Sequence, residues 1–363
     1  MSNTAAVIGA GLAGSAVAHA LCAAGWQVEL YEAQTAASGA SGNWLGAFHP
    51  HLTRGDTPLS RLTVEGVQAT REALELLTDQ GHLRRGVDWD LPGHLQVFEA
   101  TEQARALDTW RLRTDCHDWV QWHTASTEGP AAAFQGYWFA QGGWASPVAW
   151  VNANLAARGG RLTLHEHSPV ADLQTLQQTH TAVVVACAHT SLALAPVPGA
   201  STGVVKGQIT RVHRGDLPHL PWVLSGESYA IGPQGRPDMV LGATYERPAV
   251  DLTPSAQADA ENLARFRAVL PYWPLGSVVD QRCGLRFVWH DRLPVVGPVP
   301  GMPGVMLCTG FASRGLTWAA LAARLIRQYC EGAAVDNPLH RRLLPRVPKA
   351  RGMGSDSAAQ GAG

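Results

Sequence analysis

At 363 residues the chain is long enough for two domains, or for one domain carrying a large insertion. Its 46% apolar and 16% charged residues supply ample core and exclude a disordered chain. The formal charge of −1 excludes a global attraction to nucleic acid or membrane, so an anionic partner has to meet a local patch.

In chain order, AAVIG (5–9) is a short apolar run ending in glycine, the pattern of a buried strand. Residues 12–24 carry helical apolar spacing, and Gly25 is placed to end that helix. QVELYE (27–32) alternates and closes on an acid, which completes a βαβ unit. Residues 5–26 have no basic residue ahead of them and are interrupted by glycines and His19, so they read as a nucleotide-binding hairpin and not an export signal. GASGNWLGAFHP (39–50) has too much glycine for a helix or a strand. An amphipathic helix follows at 59–78, then a stretch at 86–139 read as short strands, tryptophans and turns. A helix is expected from Pro147, strands at 161–167 and 181–188, a strand-rich region at 203–290 broken by a helix near 255–270, and a last strand–turn–helix from 305 to about 330. Residues 346–363 are expected to form a basic and then disordered tail. The six cysteines are scattered, without C-x-x-C or histidine neighbours, which predicts reduced thiols of a cytoplasmic protein and no metal site. No apolar run is long enough to span a bilayer, so no membrane partner is expected.

Gly9-Ala10-Gly11-Leu12-Ala13-Gly14 is G-x-G-x-x-G between a strand and a helix, and Glu32 ends the next strand. Such a turn lets a pyrophosphate approach the backbone and the helix N-terminus, and the acid accepts the adenosine ribose hydroxyls. The hexapeptide alone is weak, but its setting and Glu32 make a dinucleotide site. Two stretches further along the chain favour FAD over NAD. Beyond Glu32 the chain runs into a flexible loop (Gly39, Ala40, Ser41, Asn43, Trp44, Gly46) able to lie along a long dinucleotide. A second glycine turn and helix start, VMLCTGFASRGLT (305–317), stands near the other end, with Gly310, Ser313, Arg314, Gly315, Leu316 and Thr317 as its contacts. A helix N-terminus there suits the negative charge of a reduced flavin.

GASGN with Gly46 and Pro50, QGGWASP (141–147), Lys206-Gly207-Gln208, GATYERP (242–248), RCGLRFVWHDRLPVVG (282–297) and SRGL (313–316) together resemble the D-amino acid oxidase, glycine oxidase and sarcosine oxidase superfamily. More narrowly they resemble the FAD-dependent C-terminal domain of the bifunctional tRNA 5-methylaminomethyl-2-thiouridine biosynthesis proteins, over nearly the whole chain. The resemblance implies an α/β, α+β two-domain architecture. A discontinuous Rossmann-like FAD domain (1–85, 140–202, 291–345) would carry a glycine oxidase-like substrate domain of mixed and antiparallel sheet (86–139, 203–290). It implies noncovalent FAD, and removal of the carboxymethyl group from 5-carboxymethylaminomethyl(-2-thio)uridine at the tRNA wobble position, leaving aminomethyluridine and glyoxylate. Because the dinucleotide strand starts at residue 5, the methyltransferase of the bifunctional proteins is expected to be a separate partner acting downstream.

Arg286 is the expected carboxylate anchor, by paired guanidinium hydrogen bonds, with Tyr229 as a second donor. Arg314 beside the second turn would stabilise reduced-flavin charge or touch the nucleotide. Lys206 would assist oxygen reduction, or else simply pair with a carboxylate. Val170 and Ala186 complete the expected FAD contacts, and Cys283, where some sarcosine oxidases attach flavin, is expected to be a core thiol. The basic run 340–351, with Arg341, Arg342, Arg346, Lys349 and Arg351 and no acid, is the candidate tRNA patch. A small-molecule amine or amino-acid oxidase and a non-enzymatic flavin-binding protein are the alternatives; the Arg286 motif speaks against the second.

Overall fold

The computed structural model describes residues 3–124, 134–157, 159–247 and 251–347. Its first sheet has six strands in the order Val295–Pro298, Val305–Thr309, Ala182–Val185, Thr4–Ile8, Gln27–Tyr31, Leu162–His165. All neighbours are parallel except the edge pair Val295–Pro298 with Val305–Thr309. The near-continuous apolar runs are those of parallel strands buried on both faces. On one face Leu12–Ala23 and Gly315–Cys330 pack against each other, and Pro58–Asp79 lies against the latter, enclosing one core with Trp150 and Trp318. Pro58 at the first helical position and the Thr57 side chain, which accepts the Ser60 N–H, start that 22-residue helix.

A second sheet has eight strands in the order Val278–Trp289, Thr202–His213, Asp238–Gly242, Tyr229–Ile231, Val223–Ser225, His94–Val97, Gly136–Phe139, Gln121–His123. It is antiparallel apart from the Val223–Ser225/His94–Val97 pair. The helix Ala256–Val269 covers one face, where buried Asp259 accepts from Gln208 Nε2 at 2.8 Å and Thr210 Oγ1 at 2.6 Å. A small sheet of Gly46–Phe48, Gly143–Ala145 and Trp89–Asp90 packs on the opposite face through Leu45, Trp144, Ile209 and Val240. The architecture is the mixed α/β one expected.

One element differs from the expectation. The helix Ala100–Leu112 stands where short strands and turns were expected, and it buries only Ala106 and Thr109, so its apolar stripe is too thin to show in the sequence. All six cysteines are reduced thiols, and among the described residues no group of three or more His, Cys, Asp or Glu could hold a metal. No described helix is long and apolar enough to cross a membrane.

Candidate active site

The glycine turn has the geometry its chemistry requires. A Cβ on Gly14 would lie 1.8 Å from the Gly9 carbonyl oxygen, so the helix can approach the strand this closely only without a side chain there. Glu32 closes the site from the end of the second strand. Its Oε2 accepts the Ala10 N–H at 2.8 Å and its Oε1 the Gln34 N–H at 3.0 Å. The Ser41 hydroxyl reaches the start of the helix Leu12–Ala23 and accepts the Leu12 N–H at 2.9 Å. Ala186 follows the strand beside the turn, and its N–H donates to the Ile8 carbonyl at 2.8 Å. Val170 packs in the cluster that includes Tyr31, two residues after Ser168, whose N–H donates to the Glu32 carbonyl.

The glycine loop folds as a 3-10 turn, Ala40–Gly42, and lies against the second sheet. Arg282 Nη2 donates to the Ser38 carbonyl at 2.7 Å and also to that of Gly39, which ties the loop to the strand carrying Arg286. Trp44 stacks under the Arg211 guanidinium, 4.8 Å from ring to Cζ. At the other turn Gly310 has φ +77°, and the helix Gly315–Cys330 begins at Arg314 with no side-chain cap. Ser313 is exposed, whereas Leu316 and Thr317 are buried. Two helix starts without caps of their own, a carboxylate beside the first turn with lone pairs left to accept, and an acid-free second turn form a set that fits a dinucleotide with an anionic ring system.

Arg286 lies in the strand Val278–Trp289, opposite Val205, on the face shared by Gly207, Gly284 and Arg282. A Cβ on Gly207 would meet Arg286 Nη1 at 2.2 Å and Cζ at 2.4 Å, so this glycine is the seat of the guanidinium. Nη1 donates to the Thr244 carbonyl at 2.9 Å, and Cζ stands 4.4 Å from the Tyr245 ring centroid. Among the described residues no carboxylate lies within 4.0 Å of Arg286. Tyr229 is separated from that strand by two others, yet its phenol feels the Arg286 charge. Burial pushes the phenol up to about 12 and Arg286 pulls only weakly against it, so at neutral pH Tyr229 is a hydrogen-bond donor. Arg314 is buried enough to lower its own pKa, and its Nη2 approaches His51 Nδ1 at 3.4 Å.

A family model described as FAD dependent oxidoreductase matches residues 4–329. The chain belongs to this FAD-dependent oxidoreductase family. It is 32% identical over 408 aligned residues to the "tRNA 5-methylaminomethyl-2-thiouridine biosynthesis bifunctional protein MnmC" of Burkholderia pseudomallei strain 668 and, equally, of Burkholderia mallei strain SAVP1. The alignment covers 95% of this chain and 58% of those proteins, so the chain spans little more than half their length. Among solved structures it is similar to glycine oxidase from Geobacillus kaustophilus, with a TM-score of 0.80 at 21% identity, covering 96% of this chain and 100% of that one. Iminodiacetate oxidase from Chelativorans sp. BNC1 aligns with a TM-score of 0.78 at 20% identity over 95% of this chain and 100% of that one. The fold is that of glycine oxidase, and FAD is the family's cofactor.

In this FAD-dependent oxidoreductase, Lys206 stands apart from the other site candidates. Alternation along the strand puts Lys206, Gln208 and Cys283 on the face covered by the helix Ala256–Val269, opposite to Arg286. Lys206 Nζ lies 3.3 Å from Glu246 and 3.5 Å from Asp251 and donates to the Thr253 carbonyl at 2.9 Å, so in this structure it pairs with carboxylates. Cys283 Sγ donates to Gln208 Oε1 at 3.5 Å, as a core thiol.

Sequence reasoning missed three histidines. His49 and His94 rings lie 4.0 Å apart, and His94 Nε2 meets Ser225 Oγ at 2.6 Å. Burial, despite the His49 hydrogen bond to the Pro50 carbonyl, lowers His49 to about 4; burial, with the charge of Arg314, lowers His51 to about 3. Burial holds His94 well below its usual value. All three are neutral at physiological pH, and His49 and His51 lie close enough to feel the Arg314 charge without adding to it. The only sequence signal was the H-P-H triplet directly after the glycine loop.

The cations of the basic run differ in their surroundings. Arg346 forms a bidentate pair with Asp291, Nε to Oδ2 at 2.7 Å and Nη2 to Oδ1 at 2.6 Å, and donates to the carbonyls of Leu293, Pro294 and Leu344. Its guanidinium is engaged as a clasp between Asp291 and the backbone. Arg341 pairs with Asp336 at 3.2 Å, Arg342 is exposed, and Lys349 and Arg351 lie outside the described residues. Arg346→Ala is expected to cost about 2–3 kcal/mol in a denaturation experiment, since it strands Asp291. Burial pushes Asp291 up, but the hydrogen bonds and charge of Arg346 outweigh it and leave the carboxyl below its ordinary value. The clasp therefore contributes fully above the unfolded pKa near 4 and is lost as pH falls through the lower folded value, so wild type and variant should converge in acid. Glu32→Lys should lower the FAD retained after gel filtration, read from flavin absorbance, because an ammonium replaces the acceptor at the ribose.

Proposed function

We propose that this enzyme oxidises the carboxymethylaminomethyl arm of a wobble uridine in tRNA, releasing glyoxylate and leaving an aminomethyl group on the base. The observation that carries the reading is Arg286, a guanidinium without a carboxylate partner among the described residues, seated on Gly207 on the same sheet face as the glycine loop. The 32% identity to proteins named for tRNA 5-methylaminomethyl-2-thiouridine biosynthesis supports tRNA as the substrate.

The arm, –CH2–NH–CH2–COO⁻, is a substituted glycine. Arg286 takes its carboxylate through paired hydrogen bonds, which fixes the adjacent carbon in one place. Tyr229, a neutral phenol, donates a further hydrogen bond to the same group. FAD, when bound, would supply the acceptor for the hydride lost from that carbon. Glu32 and the turn Gly9–Gly14 would hold its adenosine and pyrophosphate, and the uncapped helix start at Gly315 would favour the negative charge of its reduced form. Water then adds to the resulting C=N bond of the arm and the adduct divides into glyoxylate and the amine. We infer that FAD is held without a covalent bond, since the Cys283 thiol faces the helix Ala256–Val269 and not the loop. Working on tRNA, the enzyme acts in the cytoplasm. The reading is tested by incubating purified holoenzyme with tRNA carrying the arm and measuring glyoxylate. Release in proportion to modified tRNA supports it, and oxidation of glycine or sarcosine with no glyoxylate from tRNA would replace it with a small-amine oxidase.

A further inference from the structure

The segment GATYER (242–247) has a side chain that the proposed oxidation does not use. Thr244 and Glu246 turn toward the helix-covered face of the sheet: Thr244 Oγ1 accepts the Gln208 N–H at 2.9 Å, and the Glu246 carboxylate lies 3.3 Å from Lys206 Nζ. The backbones of Lys206 and Glu246 exchange hydrogen bonds of 3.2 and 2.9 Å, which pins the segment to the strand. Neighbours in extended chain project to opposite sides, so Tyr245 between them is held on the Arg286 face. Its ring sits 4.4 Å from Arg286 Cζ and within reach of the Arg314 charge, yet it is 59% exposed. A ring held this firmly, at the rim of the site and more than half open, offers surface to a ligand and not to the core.

We propose that Tyr245 is the stacking platform for the pyrimidine ring that carries the arm, which makes it the residue that tells a modified nucleoside from a free amino acid. The proposal rests on the tRNA reading. The arm separates ring C5 from the carboxylate carbon by four single bonds, a reach of roughly 5 Å. With the carboxylate on Arg286, the base therefore arrives beside the neighbouring tyrosine. Base–aromatic stacking is sequence-tolerant and favours rigid aromatic side chains. In this arrangement the Lys206–Glu246 pair acts as the brace of the platform, which gives the K-G-Q and G-A-T-Y-E-R motifs one purpose: Gly207 seats the guanidinium, and Lys206 fixes the ring beside it.

The test uses holoenzyme with free 5-carboxymethylaminomethyluridine nucleoside as substrate, read by its loss, and N-ethylglycine, which has the arm and no ring, as a competing substrate whose inhibition constant is measured. Tyr245→Ala should raise KM for the nucleoside roughly 5- to 150-fold, with the inhibition constant of N-ethylglycine little changed. Tyr245→Phe, which keeps the ring, should restore most of the loss. A parallel rise in the inhibition constant would show that Tyr245 only orients Arg286 and would overturn the proposal, as would an unchanged KM. A wild-type enzyme that acts on neither the nucleoside nor tRNA would overturn the tRNA reading as well, whereas an active wild type with an unaffected Tyr245→Ala overturns the platform alone.

Discussion

Arg286→Lys should lower kcat/KM on the modified tRNA by roughly 30- to 1,000-fold while FAD content stays at the wild-type level. Lysine keeps the charge but replaces a planar fork with a point donor, so the carboxylate is no longer held by two parallel bonds. It also cannot hold the stack against Tyr245 or reach the Thr244 carbonyl in the same geometry. The reacting carbon then samples positions from which hydride cannot leave, and the loss falls on kcat as well as KM. Steady-state kinetics beside the flavin absorbance of each preparation checks both halves. A variant with wild-type kinetics would move the anchor to another cation, such as Arg314, which also feels the Tyr245 ring beside Arg286.

Gly207→Ala should be almost as damaging, although it touches no reacting group. The new methyl meets the Arg286 guanidinium at 2.2–2.4 Å, and the far end of a flexible side chain yields more easily than backbone. Folding and FAD content should therefore survive, while the displaced guanidinium costs on the order of 100-fold in kcat/KM. Thermal denaturation and flavin content separate this result from misfolding. Full activity would mean that Arg286 does its work from a position other than its seat on Gly207.

The parts of the site that were legible in the sequence are local ones. Gly9, Gly11, Gly14 and Glu32 are read by spacing, because a phosphate-binding turn needs those residue types in fixed order between a strand and a helix. Arg286 is singled out by its motif. Which candidates share a face was hidden: Lys206 and Gly207 are adjacent, and only the pairing of Thr202–His213 with Val278–Trp289 shows that they serve opposite sides of the sheet. Arg346 looked like a free cation because its partner Asp291 lies 55 residues away. The helix Ala100–Leu112 buries too few residues to display a period, and the buried histidines owe their neutrality to packing that no local pattern encodes.

Mass spectrometry of nucleosides, from tRNA bearing the carboxymethylaminomethyl group and incubated with purified FAD-loaded protein, tests the central claim most directly. The account predicts that the carboxymethylaminomethyl nucleoside disappears and the aminomethyl nucleoside appears in its place, in wild type and not in Arg286→Lys. An unchanged nucleoside profile from an enzyme that oxidises glycine or sarcosine would contradict it.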